Sequence, residues 1–351
     1  MTGLLGALVP LYRGLTVMKN AAYDGGFSEA LRLPVPVVSV GNLSMGGTGK
    51  TPVVIWLSRT LARDYRRPVI VTRSYRTKLR GPRAVQLGVP DGASLFGDEA
   101  VELALKAGGL VYTGPVKWRT ALQAYQDVKP DLILLDDGFQ HRRLARDFEI
   151  VLIDATDERD TLLPSGRLRE DFSSLRRADA VLLTKVNWAR PAFVERLRAK
   201  IAPHVRADAV VMDLHFGFRD LSRMAELGFG RPVALVSAVG RNEVLRAQVE
   251  SVLQRPLDWV VAERDHHPWS ARDVEGLRAW WARHPDGLVF TTEKDETKLR
   301  PLLRGEARLV SLRLDVDARG EEARLFAAAR RKLQGVHHSG VRPNLEAGPW
   351  P

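Results

Sequence analysis

A glycine-rich segment that ends in a lysine and a threonine is the part of the sequence best suited to chemistry. Residues 44–51 read SMGGTGKT and lie between the apolar run 35–40 and a segment of helical composition. Glycines let backbone N–H groups close around phosphate oxygens, and the start of the following helix favours negative charge. The pattern predicts a nucleoside triphosphate site in which Lys50 reaches the β- and γ-phosphates and Thr51 ligates Mg²⁺. The residues expected to bind the nucleotide are Gly46, Gly47, Thr48, Gly49, Lys50 and Thr51.

Carboxylates that could hold a metal or accept a proton occur at two further places. Asp136 and Asp137 end the apolar run 132–136, where a P-loop enzyme places a carboxylate for Mg²⁺, although paired aspartates at a strand end can also be turn residues. Asp98 precedes the helical run 100–107. It could cap that helix, or it could act as a general base if it lies near the γ-phosphate.

Two adjacent histidines, His266 and His267, follow Asp265 and the apolar run 259–262. Imidazoles beside a carboxylate could assist proton transfer or bind a metal, and histidines on the surface are the plain alternative. Because no further histidine or cysteine lies at close spacing, we do not expect a structural zinc site.

Arginines suited to an anionic substrate lie in two segments. Arg73, followed by Tyr75, comes at the end of the run 68–72, and ligands of parallel α/β sheets bind at the carboxyl ends of strands. Arg169 belongs to the segment 162–170. The guanidinium group offers a planar fork of donors that matches phosphate oxygens, although either segment could also be a solvated loop.

These residues need a sheet to position them. Short runs rich in β-branched residues recur between segments of helical composition, and most are apolar throughout, as in strands buried on both faces. The predicted strands are 35–40, 68–72, 110–113, 132–136, 150–154 and 181–184, then 233–238, 259–262, 289–292 and 309–314. The pattern indicates an α/β fold, with a P-loop NTPase-like doubly wound, mostly parallel sheet and a second, smaller α/β domain.

The 351 residues are enough for two domains. A boundary is expected at 205–215, just ahead of the segment 215–218. The resulting regions are an N-terminal helix region at 1–33, a P-loop domain at 34–212, a smaller C-terminal α/β domain at 213–335 and a loose tail at 336–351.

The N-terminal region predicts an amphipathic helix. Its apolar residues recur at steps of four and three, at Leu4, Leu8, Leu11, Leu15 and Met18. The basic residues fall inside and after this stretch, which is not the arrangement of a secretory signal. Such a helix either packs on the domain or lies in a membrane interface. No run of about 18 apolar residues suggests a transmembrane helix.

Composition narrows the function classes. The chain has no cysteine, which excludes disulfides, thiolate zinc sites and cysteine nucleophiles and fits a reducing compartment. The net charge of +11 could attract nucleic acid, an anionic membrane face or a phosphorylated substrate. Alternatively, the basic side chains could simply keep the protein surface solvated. No basic stripe interleaved with aromatic residues stands out, so nucleic acid is not expected as a partner.

Taken together, these motifs resemble the tetraacyldisaccharide 4′-kinase family, the lipid A 4′-kinases. The resemblance covers most of the chain and rests on the N-terminal helix and on segments 41–52, 97–99, 136–141, 162–170, 265–267 and 291–295. The motifs at 136–141 and 291–295 are rare outside the family. The chain departs from the family at 73–76, where two glycines are missing, and at 239–241. Ser44, where the strict P-loop pattern has glycine, is similar to the hydroxyl residue common in the family.

The resemblance implies transfer of the γ-phosphate of ATP, with Mg²⁺, to the 4′-hydroxyl of a tetraacylated glucosamine disaccharide 1-phosphate. It also implies a peripheral enzyme on the cytoplasmic face of a bacterial inner membrane, with an anionic membrane surface as partner and no obligatory protein partner. Asp98 would be the base, aided by His266 or His267, and Lys50 would stabilise the transferring phosphoryl group. Residues assigned to the metal are Thr51, Asp136 and Asp137, and those assigned to the lipid substrate are Arg73, Tyr75, Gln140, Arg169 and Glu170.

Three alternatives share part of this pattern. A P-loop switch or metallochaperone would have the same loop and metal aspartate but no use for an amphipathic N-terminal helix. A ligase of the amidotransferase type would usually need a glutamine-hydrolysing cysteine, which the chain lacks. An ATPase that binds nucleic acid would use the positive charge but lacks the aromatic stripe.

Overall fold

The structure is a computed structural model that describes residues 6–75, 77, 79–89, 92–158, 161–219, 221–265, 267–303, 305–334 and 336, without the side chains of 221–223. The strands are β1 Val37–Asn42, β2 Pro68–Arg73, β3 Arg83–Ala84, β4 Leu110–Gly114, β5 Leu132–Asp136, β6 Phe148–Asp154, β7 Ala180–Thr184, β8 Val210–Phe218, β9 Val233–Ser237, β10 Trp259–Ala262, β11 Leu288–Thr292, β12 Leu309–Leu312 and β13 Leu314–Asp317.

Helices alternate with these strands, as the sequence predicts for an α/β fold. They are α1 Val9–Asp24, α2 Lys50–Leu61, α3 Gly92–Phe96, α4 Asp98–Lys106, α5 Lys117–Val128, α6 Pro191–Ile201, α7 Leu221–Gly228, α8 Asn242–Leu253, α9 Ala271–Arg283, α10 Glu293–Leu303 and α11 Glu322–Leu333. Short 3₁₀ helices lie at Phe172–Arg177, Val186–Trp188 and Ala202–His204.

The larger sheet has nine strands in the order β13-β8-β7-β6-β1-β5-β2-β4-β3. The pairs from β8 through β4 are parallel, and β3 runs antiparallel to β4. Strands β1, β5, β6 and β7 are buried at every position, which explains their continuous apolar character. Strand β1 lies between β5 and β6 with the chain order reversing around it, so its carboxyl end opens at a switch point where ligands bind. The predicted fold class is confirmed.

The chain divides into two compact units, each defined by the contacts among its own residues. One comprises 1–216 and 316–351, and the other comprises 217–315 and contains a four-stranded parallel sheet in the order β10-β9-β11-β12. These limits differ from the sequence-based division at 212 and 335, because α11 packs with the first unit, where Phe326 contacts Trp56.

Three strands escape the sequence-based prediction. Strand β8 alternates buried and half-buried positions, so it lacks a continuous apolar run and occupies the region where a boundary was expected. Strand β3 has only 2 residues, too few to give a periodic signal, and β13 contains Asp315 and Asp317, so it has no continuous apolar run.

The N-terminal region forms helix α1, and its two sides have different surroundings. Residues Leu8, Leu11, Leu15 and Met18 are between 47% and 65% exposed. On another side, Val9 and Tyr12 pack against buried residues of the first unit, and the Tyr12 hydroxyl donates to the backbone oxygen of Arg169 at 3.0 Å. Within the described residues, no helix is both long enough and apolar enough to cross a membrane.

Candidate active site

The glycine-rich loop joins β1 to α2 in the geometry that phosphate binding needs. Helix α2 begins at Lys50, so its free N–H groups point towards the loop. Gly46 and Gly49 have φ values of 110° and 83°, a left-handed region that side chains disfavour. A Cβ on Gly49 would also lie 2.7 Å from the Phe216 ring. Both glycines are therefore required by backbone geometry.

Asn42 at the end of β1 organises the inside of the loop. Its buried amide nitrogen donates to the backbone oxygen of Ser44 at 2.5 Å and to Thr48 Oγ1 at 3.0 Å, and its Oδ1 accepts from Lys50 Nζ at 3.3 Å. Sequence reasoning missed this role. The signal that could have found it is an amide that is fully enclosed at the end of a buried strand, because such a group must find partners.

Asp136 lies at the carboxyl end of β5 with 3% of its surface exposed. Thr72 Oγ1 donates to its Oδ2 at 2.7 Å, whereas its Oδ1 is buried without a hydrogen-bond partner in the described part of the chain. Burial raises the pKa of Asp136 to about 6, and the nearby Lys117 opposes the rise. A buried carboxylate oxygen with one open position fits a hard cation such as Mg²⁺ or a water bound to it.

Asp137 is the point where three cations meet. Its carboxylate lies 3.5 Å from Lys50 Nζ, 3.6 Å from Lys117 Nζ and 3.2 Å from Arg169 Nη1. Burial alone would raise the pKa of Asp137, but Lys117, Lys50 and Arg169 hold it well below its usual range. The carboxylate is therefore ionised at neutral pH, and it holds Lys50 next to the end of β5.

Lys117 is a cation that sequence reasoning missed. It begins α5, is almost fully buried, and donates through Nζ to the backbone oxygen of Asp137. Burial lowers its pKa, while Asp137 and Asp136 oppose that change. A lysine just after a predicted strand, 110–113, is a signal that could have flagged it, since strand ends gather at the ligand edge.

Three of the residues predicted for the lipid substrate, Gln140, Arg169 and Glu170, divide into two groups. Arg169 Nη1 donates to Gln140 Oε1 at 3.3 Å, and Gln140 Nε2 donates to the backbone oxygen of Asn42 at 2.9 Å, so both lie beside the phosphate loop. Glu170 is buried instead, and its Oε2 accepts from Asn20 of α1 at 2.7 Å and from Arg177 at 2.7 Å. The structure thus places Glu170 in the attachment of α1.

Arg73 lines a cavity of about 280 Å³ between the carboxyl end of β2, helix α1 and the segment 140–143. The described lining includes no carboxylate, and its cationic members are Lys19, Arg73, Lys117, Arg142 and Arg143. His141 also lines it, and burial among these cations lowers the histidine's pKa to about 3, so the imidazole is neutral at neutral pH. Tyr75 lies nearby in sequence and is 54% exposed. The cavity suits an anion.

Asp98 is the first residue of α4, and Gly97 is the N-cap of that helix with a φ of 97°. The alternative in which Asp98 itself caps the helix is therefore wrong. The Asp98 side chain is half-buried. Two residues earlier, the backbone oxygen of Phe96 accepts a hydrogen bond from the hydroxyl of Thr113, near the end of β4. Asp98 accordingly belongs to the ligand edge of the larger sheet.

His267 belongs to the second unit, whereas Asp98 belongs to the first. His267 Nε2 lies 3.4 Å from Asp273 Oδ2, its Nδ1 lies 3.8 Å from Glu263 Oε2, and its ring meets Trp269 edge-on with centroids 4.9 Å apart. His266 lies outside the described residues, so the choice between the two histidines stays open.

The motif at 291–295 lies beside His267 and Trp269 in the second unit. Asp295 is fully buried and accepts from Trp269 Nε1 at 2.9 Å, from the backbone N–H of Ala238 at 2.8 Å and from Thr292 Oγ1 at 2.7 Å. Because Trp269 is the ring against which His267 packs, Asp295 fixes the surroundings of that histidine. Within the described chain, no cluster of three or more His, Asp or Glu side chains forms a ready metal cage.

Comparison with known proteins supports one assignment. Residues 1–334 match the family described as tetraacyldisaccharide-1-P 4′-kinase. A tetraacyldisaccharide 4′-kinase from Bdellovibrio bacteriovorus is 36% identical over 350 residues, covering 95% of this chain and 100% of the relative. One from Anaeromyxobacter sp. is 37% identical over 330 residues, covering 89% of this chain and 86% of the relative.

A solved structure agrees with these relatives. The crystal structure of an "apo" form of LpxK from Aquifex aeolicus in complex with ATP has a TM-score of 0.71 and 29% sequence identity, and covers 93% of this chain and 99% of that one. The agreement extends over both compact units. The chain therefore belongs to the tetraacyldisaccharide-1-P 4′-kinase family.

Proposed function

We propose that the protein is an ATP-dependent kinase that transfers the γ-phosphate to the 4′-hydroxyl of a tetraacylated glucosamine disaccharide 1-phosphate, a step of lipid A synthesis. The observation that carries the proposal is the convergence at the end of β1: Lys50, the open oxygen of Asp136 and the anion Asp137 meet at one phosphate loop. Family membership supplies the acceptor. The alternative of a switch or metallochaperone is not favoured, because the family match spans residues 1–334.

Phosphoryl transfer depends mainly on positioning and on stabilising charge. In the proposal Lys50, which contacts Asn42 and Asp137, binds the β- and γ-phosphates. Thr51 and Asp136, with Asp137 behind them, would hold Mg²⁺, which when bound neutralises the phosphate oxygens. The resident cations around Asp137 limit its direct share in that metal site, so Asp136 is the stronger candidate ligand.

The proton of the acceptor hydroxyl must leave as the new P–O bond forms. In the proposal Asp98 accepts it, with His266 or His267 assisting. Asp98 is supported by its half-buried place at the start of α4, on the edge of the sheet that also holds the phosphate loop. The contribution of the histidine is supported by two neighbouring carboxylates of the second unit, Asp273 and Glu263.

The cationic cavity is proposed to receive the phosphate of the disaccharide. Arg73, Lys19 and Arg142 give it positive charge, and Arg142 is itself held by Asn20 and Asp24 of α1. Helix α1 forms one wall of this cavity and carries the exposed apolar residues. It would therefore lie in an anionic membrane interface and bring the lipid head group to the site, with the enzyme peripheral on the cytoplasmic face of the inner membrane.

The test of the reaction uses purified protein with ATP, Mg²⁺ and the detergent-solubilised disaccharide 1-phosphate, and detects the bisphosphorylated lipid. We expect product from the unaltered protein and a loss of at least 100-fold in kcat for Asp98→Ala, with the Kd for ATP unchanged. Absence of product beside an active control kinase would refute the proposed function. Full activity of Asp98→Ala would remove only the base.

The test of the membrane role replaces Leu11 and Leu15 together by serine. Both side chains are exposed, so the fold should be unaffected. We expect weaker binding to vesicles that contain anionic lipid, with detergent-solubilised substrate turned over at the original rate. The matched control replaces Val9, which packs against the first unit, and is expected to lower stability instead. Unchanged vesicle binding by the double variant would contradict the membrane role.

A further inference from the structure

The end of strand β7 contacts the phosphate loop from behind, through residues to which neither the sequence nor the proposed mechanism assigns a role. Thr184 closes the strand, and Lys185 and Asn187 follow it. Thr184 is fully buried and Lys185 is 8% exposed. Buried polar side chains at this position need partners, and the described partners include two backbone oxygens of the loop.

Lys185 is the central residue of this group. Its Nζ donates to the backbone oxygen of Gly47 at 2.5 Å and to Asp154 Oδ2 at 2.7 Å. Asp154 is itself oriented, because its Oδ1 accepts from the backbone N–H and the hydroxyl of Thr156 at 2.9 and 2.6 Å. The ammonium group thus joins the loop to the carboxyl end of β6 through a charge-assisted hydrogen bond.

The backbone of Lys185 has a φ of 59°, a left-handed conformation that is unfavourable for a residue with a side chain. Residues held in such conformations occur where the surrounding structure over-determines them, often at functional sites. Here the conformation coincides with the side chain's reach to Gly47.

Thr184 adds a second attachment one residue further along the loop. Its hydroxyl donates to the backbone oxygen of Thr48 at 2.9 Å. In a trans peptide the C=O and the next N–H point in opposite directions. Fixing the Thr48 carbonyl against β7 therefore turns the N–H of Gly49 to the opposite side of the loop, away from the sheet.

Asn187 supports the same loop through Phe216. Its side-chain amide donates to the Phe216 backbone oxygen at 2.8 Å and accepts from the Phe216 N–H at 2.9 Å. The Phe216 ring then packs on Gly49 so closely that no Cβ fits there. Residues 184–187 therefore contact three successive loop residues, 47–49, the first two directly and Gly49 through Phe216.

We infer that Thr184 and Lys185, with Asp154 behind them, are positioning residues that hold the phosphate loop in its nucleotide-binding conformation before ATP arrives. The physical gain is entropic. Ordering a backbone residue costs conformational entropy, and a loop with several glycines would otherwise lose that entropy when ATP binds. The inference rests on the proposed function only in taking ATP as the ligand of this loop.

The test compares Lys185→Met with Lys185→Arg and with Thr184→Val in the full-length protein. The matched control is Lys129→Met, since Lys129 is also left-handed, with a φ of 46°, but is exposed and stacks on Tyr125. Five quantities are measured: the Kd of Mg²⁺–ATP by calorimetry, kcat, the KM for ATP, the KM for the lipid, and the Tm without nucleotide.

We expect Lys185→Met to raise the Kd and KM for ATP at least tenfold with the lipid KM within twofold of the original. Lys185→Arg should restore most of the ATP affinity, and Thr184→Val should raise the Kd three- to tenfold. Lys129→Met should leave the ATP Kd unchanged. If Lys185→Met does not fold, the ATP Kd values of the isosteric Thr184→Val and of Lys185→Arg test the inference instead.

A lower Tm with an unchanged ATP Kd in the Lys185 and Thr184 variants would overturn the inference, because that is the result of a purely structural role. A fall in kcat with no change in the ATP Kd would overturn it as well. The two proposals fail separately: an unaltered protein that binds ATP but makes no lipid product contradicts the kinase function and leaves the Kd comparison valid.

Discussion

The buried Lys117 gives the sharpest prediction of stability at this site. Lys117→Met keeps the length and apolar stem of the side chain but removes the cation that lies 3.6 Å from Asp137 Oδ2 and bonds to the Asp137 backbone oxygen. At an effective dielectric constant of about 20, an ion pair at this separation is worth roughly 4–5 kcal/mol. Desolvation of the ammonium group offsets part of this, as the lowered pKa of Lys117 shows.

The net loss follows from what remains around Asp137. Lys50 and Arg169 still neutralise the carboxylate, so Lys117→Met does not leave an isolated buried charge. The backbone oxygen of Asp137 does lose a buried donor, which costs about 1–3 kcal/mol. We therefore expect the free energy of unfolding to fall by about 2–3 kcal/mol, below the 3–5 kcal/mol typical of a fully broken buried pair.

The measurement is urea unfolding at pH 7 in the absence of nucleotide, with Arg169→Met as the matched control. Arg169 also contacts Asp137, but its side chain is 27% exposed against 2% for Lys117, so its loss should cost no more than about 1 kcal/mol. Equal destabilisation by the two variants, or a neutral Lys117→Met, would refute the reasoning that burial makes Lys117 the stronger partner.

Three further predictions concern single side chains. Gly49→Ala should weaken ATP binding at least tenfold in calorimetry, because the φ of Gly49 is 83° and Phe216 fills the space beside it. Gly47→Ala should be tolerated, because the space around Gly47 is open. Equal effects of the two substitutions on the Kd would contradict the geometry. Because the pKa of Asp136 is raised, the folded protein binds this proton more tightly than the unfolded chain does. The free energy of unfolding of the unaltered, metal-free protein should therefore fall as pH rises from about 4 to 6, by up to about 3 kcal/mol. Asp136→Asn should remove this pH dependence. Parallel stability profiles of Asp136→Asn and the unaltered protein over that range would argue against the shift. Asp295→Asn should destabilise the second unit by about 2–4 kcal/mol in thermal unfolding, because an amide cannot accept from all three donors; a loss under about 0.5 kcal/mol would contradict that role.

The sequence predicted much of the fold because its strongest signals are local. Buried parallel strands are mostly apolar, and the runs at 68–72, 132–136 and 259–262 coincide with strands β2, β5 and β10 to within one residue. Strand β8 alternates buried and half-buried positions, β3 has only 2 residues, and β13 contains two aspartates, so none of them shows a continuous apolar run. The alternation of β8 is the period of a half-buried strand, which a search for continuous apolar runs does not detect.

For the site, the sequence identified residues that lie in contiguous motifs. Lys50 and Asp137 do lie side by side, and Gln140 and Arg169 join them at the phosphate loop. Glu170 was assigned to the substrate from its motif alone, but its carboxylate is used by Asn20 and Arg177. Lys117 was missed because it belongs to no motif, and only its place just after the predicted strand 110–113 could have flagged it.

The sequence by itself therefore determined where the phosphate loop lies and which lysine it carries, since both follow from a few consecutive residues. Only the tertiary structure decided the electrostatics of the site. The raised pKa of Asp136 depends on burial, and the ionised state of Asp137 depends on cations contributed by three separate segments. The attachment of Lys185 to Gly47 joins residues 138 positions apart. Such contacts exist only after the chain has folded, because charge interactions and desolvation depend on distance in space.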